Sequence, residues 1–291
     1  MAAFHRITIT TPDDDFLDVD VLAAGHKRAV LLCHGLEGSS QSQYIHGNAR
    51  LLSSQNWDIL AMNYRFCSGR INKQLTLYHS GATYDLDTVI QYFLPQYDEI
   101  VLVGFSLGGN LVLKYCGERG TSLNPKVRKA VAISVPVQLA AGARQIAKKS
   151  NLIYSWNFLK TLKSKLRQKQ QQYPDAIDVD QIDKVRTIFE FDDTFTGPLH
   201  GFENAMDYYT QNSSLQYLNS IQIPTLIINA LNDPFLPEEC YPYEAASQNE
   251  HLSLITPQYG GHVGFGGREN HYWSEKCIAE FLNCNLNANL S

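Results

Sequence analysis

The chain has 291 residues, 44% of them apolar, enough for one large α/β domain or two modest ones. Its 24 basic and 29 acidic residues leave a formal charge of -5, which argues against a general nucleic-acid footprint. The longest apolar run, KAVAISVPVQLAAGAR, is interrupted by Pro136, Gln138 and Gly142, so no membrane-spanning helix is expected.

In chain order, FHRITIT and DFLDVDV read as two short strands joined by a polar turn around Pro12 to Asp15, and their alternation predicts half-exposed edge strands. RAVLLC is continuous enough to be an interior strand and runs into the small-residue segment HGLEGSS. A helix-compatible stretch from Ser42 to Ser54 leads to the strand WDILAMNY, then to a long polar loop, RFCSGRINKQLTLYHSG. A helix from Thr83 to Leu94 is stopped by Pro95. EIVLVGF is the next strand, LGGNLVLKYCGER the next helix, and KAVAISVP returns as a strand. This alternation predicts a mostly parallel sheet covered by helices on both faces.

After Pro136 the rhythm breaks. Residues 137–217 show helical stretches and no clear strand, which predicts a helical cap inserted within a single domain spanning 1–291. Between Val137 and Pro174 there are eight Lys or Arg and no Asp or Glu. Leu152, Trp156, Leu159, Leu162 and Leu166 recur at helical spacing and mark one apolar face. That face is expected to pack on the core while the lysines meet water; the rival reading is a basic amphipathic helix contacting anionic lipid. The βα pattern resumes with IPTLIINA, a helix near Glu238 to Gln248, HLSLITP and a final helix from Tyr272 to Cys284.

The six cysteines show no CxxC pair, and MAAFHRITITTPDDDF lacks the basic leader and apolar core of a secretory signal. Free thiols in a reducing cytoplasm are therefore expected. Cys33 and His34 are adjacent on a strand and point to opposite faces, so no metal site is expected there.

The segment GFSLG places Ser106 between a strand and a helix. A sharp turn there projects the central side chain outward, while Gly104, Gly108 and Gly109 keep the crossing free of clashes. Ser106 is thus a candidate nucleophile, the alternative being a serine that merely eases a turn. A hydroxyl needs a base, and the base needs an orienting acid. Asp233 stands just beyond the strand IPTLIINA, and His262 a few residues beyond the last strand, in YGGHVGF. Asp192 and Asp193 are acid candidates without a strand end to aim them, and Asn232 cannot supply the charge that favours an imidazolium. Backbone N–H groups of Leu107, directly after the serine, and Leu36, in HGLEGSS, are the expected oxyanion donors.

HGLEGSS, NYRFCSGRINKQLTLYHSG, LVGFSLGGNLVLKY, TGPLHGFENAMDYY, IPTLIINALNDPF and YGGHVGF together resemble the α/β-hydrolase superfamily. More narrowly they resemble its YheT-like branch of abhydrolase-type esterases and lipases, over Val30 to Phe281. The resemblance implies an α/β-hydrolase fold with a cap and a nucleophile, acid and base at Ser106, Asp233 and His262. It implies hydrolysis of a small-molecule acyl ester, short or medium in chain, without cofactor or metal. Transfer to an alcohol, lipase action on acylglycerol or phospholipid esters, and a silent binding scaffold are the alternatives. Two positions depart from the family pattern. Phe66 stands where a glycine is usual, and Asn232 replaces the first aspartate of a usual pair.

Overall fold

The computed structural model describes residues 4–266 and 271–284. Among these, eight strands form one sheet: β1 (His5–Thr10), β2 (Phe16–Leu22), β3 (Arg28–Cys33), β4 (Asp58–Asn63), β5 (Glu99–Phe105), β6 (Val127–Ile133), β7 (Thr225–Ile228) and β8 (Leu252–Ile255). Their order is β1-β2-β4-β3-β5-β6-β7-β8. β2 runs antiparallel to β1 and β4, and every other pair is parallel.

The central strands are continuously apolar in their interiors, as over residues 29–33 of β3 and 100–103 of β5, because both faces are covered. On one face Leu31 and Leu102 pack with α2 (Thr83–Phe93) and α3 (Leu107–Arg119), through Leu86, Val89, Leu111 and Val112. On the other, Val30, Leu32, Val101 and Val103 meet α1 (Gln43–Ser53) and α11 (Trp273–Asn283), through Ile45, Leu52, Ile278 and Leu282. No helix among the described residues is long and apolar enough to cross a membrane. All six cysteines are free thiols.

β2 differs from its expected edge position. It lies between β1 and β4 with Leu17 to Val21 buried, acids included. The alternation is real, but its polar face is covered by paired charges. Arg6 grips Asp20 through two hydrogen bonds of 2.8 Å, joined there by Ser40 and Asn63. Thr8 and Arg70 donate to Asp18 at 2.7 and 2.9 Å.

Between β6 and β7 the chain leaves the sheet and forms α4 (Leu139–Ile146), α5 (Leu152–Gln172), α6 (Val179–Lys184), α7 (Ile188–Phe191), a π-helical turn over Asp192–Thr196, α8 (Gly197–Leu199) and α9 (Ala205–Asn212). Leu159, Leu162 and Leu166 of α5 pack with Ile182, Ile188 and Phe191 in a cluster that also takes in Phe66 and Leu77 from the loop after β4. The expected apolar face of α5 therefore holds only from Leu159 onward, since Leu152 and Trp156 stand in solvent. Two of its lysines depart from expectation in the opposite sense. Lys169 is buried, donating to the carbonyls of Asn72 and Gln74 at 2.5 Å each, and Lys165 is drawn into an ion pair with Glu37. α10 (Tyr243–Gln248) follows β7 and completes the βα rhythm before β8.

Arg65 ties the β1–β2 turn to α2. It is buried and meets Asp85 at 2.7 Å, Asp13 at 2.6 Å and Asp15 at 3.2 Å. Removing one partner of a buried pair strands the other charge. Arg65→Met is therefore expected to lower the unfolding free energy by about 3–5 kcal/mol, read from urea melts. A loss under about 1 kcal/mol, the range of a surface pair, would contradict it.

Candidate active site

β5 ends at Phe105 and α3 begins at Leu107, leaving Ser106 alone to reverse the chain. It does so at φ 53, in the left-handed region, with its N–H bonded to the Ile133 carbonyl at 2.8 Å. The approach of helix to strand explains the neighbouring glycines. A Cβ on Gly104 would lie 2.1 Å from the Gly108 oxygen, and one on Gly108 would lie 2.3 Å from the Cys33 oxygen. The elbow thus depends on two positions that admit no side chain.

The structure brings Ser106, His262 and Asp233 together. His262 Nε2 lies 2.9 Å from Ser106 Oγ, and its Nδ1 lies 2.9 and 3.1 Å from the two Asp233 oxygens. The Asp233 side chain is fully buried and also accepts from the Phe235 N–H at 2.9 Å. With Asp233 as acceptor, His262 carries its proton on Nδ1 and turns the lone pair of Nε2 toward the serine hydroxyl. Phe235 packs its ring 4.5 Å from that of His262.

Asn232 has a role that sequence reasoning missed. Its Oδ1 accepts from the N–H groups of both Gly260 and Gly261 at 2.9 Å, clamping the loop that carries His262 to the loop that carries Asp233. Ser134 fastens the other side by accepting from the Val263 N–H at 3.0 Å. An amide oxygen serves this clamp as well as a carboxylate would, which accounts for the departure at position 232.

Leu36 and Leu107 line the same pocket as Ser106 and His262. The Leu107 N–H opens α3, where no intrahelical acceptor exists. Around Leu36 the backbone is fastened on both sides. Gly35 N–H donates to the Tyr44 hydroxyl at 2.9 Å and Glu37 N–H to the Tyr78 hydroxyl at 2.8 Å. Neither the Leu36 nor the Leu107 N–H donates to another group among the described residues.

Glu37 holds a left-handed φ of 55, and its carboxylate accepts from Tyr78 at 2.7 Å and from Lys165 at 2.8 Å. Burial opposes the Lys165 charge, yet the Cys67 thiol and Glu37 hold its pKa above the usual lysine value. A helix of the inserted segment thereby grips the loop bearing Leu36, a contact between positions 128 residues apart with no local signal in the sequence. Phe66 also has a left-handed φ, 61, the conformation a glycine adopts without cost. Its ring is buried in the α5 cluster, 5.7 Å from Lys165 Nζ, and it does not line the pocket.

His34 is structural. The Tyr64 N–H donates to its Nε2 at 3.3 Å, so the Nδ1 proton goes to the Gly35 carbonyl at 2.8 Å. Burial holds its pKa down at about 3, so the ring is neutral.

The pocket extends from Ser106 under the inserted helices, walled by Leu139, Ile146, Leu162, Ile188, Phe191 and Phe195. His79 and His200, with rings 4.6 Å apart, also line it, and burial lowers the pKa of both. Asp192 is the acid in the lining, and Tyr209 donates to it at 2.6 Å. Asp193 points elsewhere and accepts from the Ala205 N–H at 2.9 Å.

Burial raises the Asp192 carboxyl to about 6. A folded value above the unfolded one means the native state holds this proton more tightly, so the contribution to stability is present at low pH and lost as pH rises from about 4 to 6. Asp192→Asn keeps an acceptor for Tyr209 without the charge. It is expected to stabilise the fold more at about pH 8 than at about pH 4.5, by roughly 2 kcal/mol in urea melts. Equal effects at the two pH values would contradict this.

The α/β hydrolase fold family matches residues 28–267. The chain is 35% identical over 288 residues to a protein of Escherichia coli K12 named "Putative esterase YheT", covering 95% of this chain and 84% of that one. It is 31% identical to human Phospholipase ABHD3, covering 83% of this chain and 59% of that longer one. It is 27% identical to the Monoacylglycerol lipase of Saccharomyces cerevisiae, over 96% of this chain and 63% of that one. Among solved structures, an esterase of Pyrococcus furiosus shares the fold with a TM-score of 0.65 at 20% identity, over 96% of this chain and 89% of that one.

Proposed function

The chain belongs to the α/β-hydrolase superfamily, close to its YheT-like esterase and lipase branch, and on that premise we propose that it is a serine carboxylic ester hydrolase. The observation that carries the reading is the unbroken line from buried Asp233 through His262 to Ser106, each link about 2.9 Å. In that arrangement His262 Nε2 takes the hydroxyl proton as Ser106 Oγ attacks the ester carbonyl. Asp233 holds the ring in the correct tautomer and offsets the positive charge that develops on it. The carbonyl oxygen becomes an oxyanion held by the N–H groups of Leu36 and Leu107. Collapse of the intermediate breaks the bond to the alcohol, His262 returns its proton to the departing oxygen, and Ser106 is left acylated. Water, deprotonated by His262, then releases the acid.

The apolar pocket under the inserted helices favours a short or medium aliphatic acyl group. Relatives named as a phospholipase and a monoacylglycerol lipase support lipid esters as the wider substrate class. The reading needs no metal or organic cofactor.

A panel of p-nitrophenyl esters of increasing chain length tests the assignment. Ser106→Ala is expected to lose on the order of 10⁴-fold or more in kcat, and Asp233→Asn about 10⁴-fold, because the amide favours the wrong tautomer. Turnover near the wild-type rate in Ser106→Ala would reject the nucleophile.

A further inference from the structure

The start of α5 leaves a cluster of large apolar side chains in water. Leu152, Ile153, Tyr154 and Trp156 are 57%, 76%, 51% and 60% exposed, while Leu159 and Leu162 of the same helix are buried. A patch of this kind marks an interaction surface. Its flanks are basic: Lys148 and Lys149 precede it, and Lys160 stands with Nζ 5.1 Å from the Trp156 ring.

The remaining cations of this stretch are engaged within the fold. Lys165 pairs with Glu37, Arg167 with Asp183 and Arg144 with Glu239, while Lys163 donates to the Val185 carbonyl and Lys169 to those of Asn72 and Gln74. No Asp or Glu occurs between Val137 and Pro174. Glu239 of the neighbouring loop is paired with Arg144 and the segment itself carries no carboxylate, so the complement of the lysines it presents at the patch is an anion.

The patch reaches the wall of the pocket. Tyr154 meets Phe235 edge-on at 5.0 Å, and Phe235 lines the pocket against the ring of His262. We infer that this first turn of α5 docks on a bilayer surface rich in anionic phospholipid. The aromatic and aliphatic groups enter the interfacial layer, and the three lysines remain among the headgroup phosphates. A second copy of the chain fits less well, because a two-fold contact through the patch would oppose lysines to lysines. Docking also sets the pocket wall at Phe235 beside a surface that holds lipid esters. That delivery role rests on the hydrolase reading; the binding itself does not.

Co-sedimentation with vesicles tests the binding on the full chain carrying Ser106→Ala, which prevents any lipolysis. Binding to equimolar phosphatidylglycerol and phosphatidylcholine vesicles is expected at low salt, with weak binding to phosphatidylcholine alone. Ile153→Ser with Trp156→Ser should reduce partitioning about tenfold or more, and Lys148→Glu with Lys149→Glu by a similar factor that added salt removes. Thermal melts establish that both variants are folded. Undiminished binding by either pair, or no binding to anionic vesicles, would overturn the proposal. So would a dimer that Ile153→Ser with Trp156→Ser converts to monomer, since that outcome assigns the patch to a second copy. Ester turnover in solution, measured on the protein with Ser106 intact, judges the hydrolase reading separately.

Discussion

The reversal of the chain at Ser106 is the constraint from which the rest of the site takes its geometry. A serine at φ 53 is costly in isolation, by roughly 1–2 kcal/mol. It persists because α3 lies so close to β3 and β5 that the chain has no room for a gentler turn. Gly104 and Gly108 permit that closeness, and the Ser106 N–H bond to Ile133 fixes the end of β5 against β6. With the turn fixed, Ser106 and Leu107, the first residue of α3, line the same pocket. Parallel pairing of β5 through β8 then delivers the loops with Asp233 and His262 to the same edge, since parallel strands all end there.

The inserted helices do more than roof this edge. Lys165 reaches from α5 to Glu37, whose own N–H is tied to Tyr78, so the loop bearing Leu36 is held from above as well as from beneath. Glu37 and Phe66 both take left-handed conformations beside this contact. Packing of Phe66 into the α5 cluster and pairing of Glu37 with Lys165 offset that cost. Any shift of α5 is accordingly felt at the backbone next to Leu36.

Much of the fold was legible in the sequence because the deciding interactions are local. EIVLVGF and LGGNLVLKYCGER match β5 and α3 at both ends, since a continuous apolar run, a small-residue turn and helical periodicity follow one another without ambiguity. Position relative to strand ends also singled out Asp233 and His262, which the fold brings to hydrogen-bond distance of one another, with His262 in turn reaching Ser106. What stayed hidden depends on partners distant in sequence. The alternation of β2 looks like an edge strand until Arg6, Ser40 and Asn63 cover its acids. Lys165 and Lys169 look like solvated charges until Glu37 and the carbonyls near Asn72 meet them. Leu152 and Trp156 continue the periodicity of α5, but the cluster they would join begins only at Leu159. Asn232 offers no charge to orient a histidine, yet its oxygen clamps two glycine N–H groups.

The account stands on one hydroxyl being more reactive than any other in the molecule. Intact-mass analysis of the folded protein after exposure to a fluorophosphonate, followed by peptide mapping, measures that directly. A single adduct on the peptide carrying Ser106, absent after unfolding before exposure, is the expected result. No adduct on the folded chain, or one placed on a different serine, would contradict it.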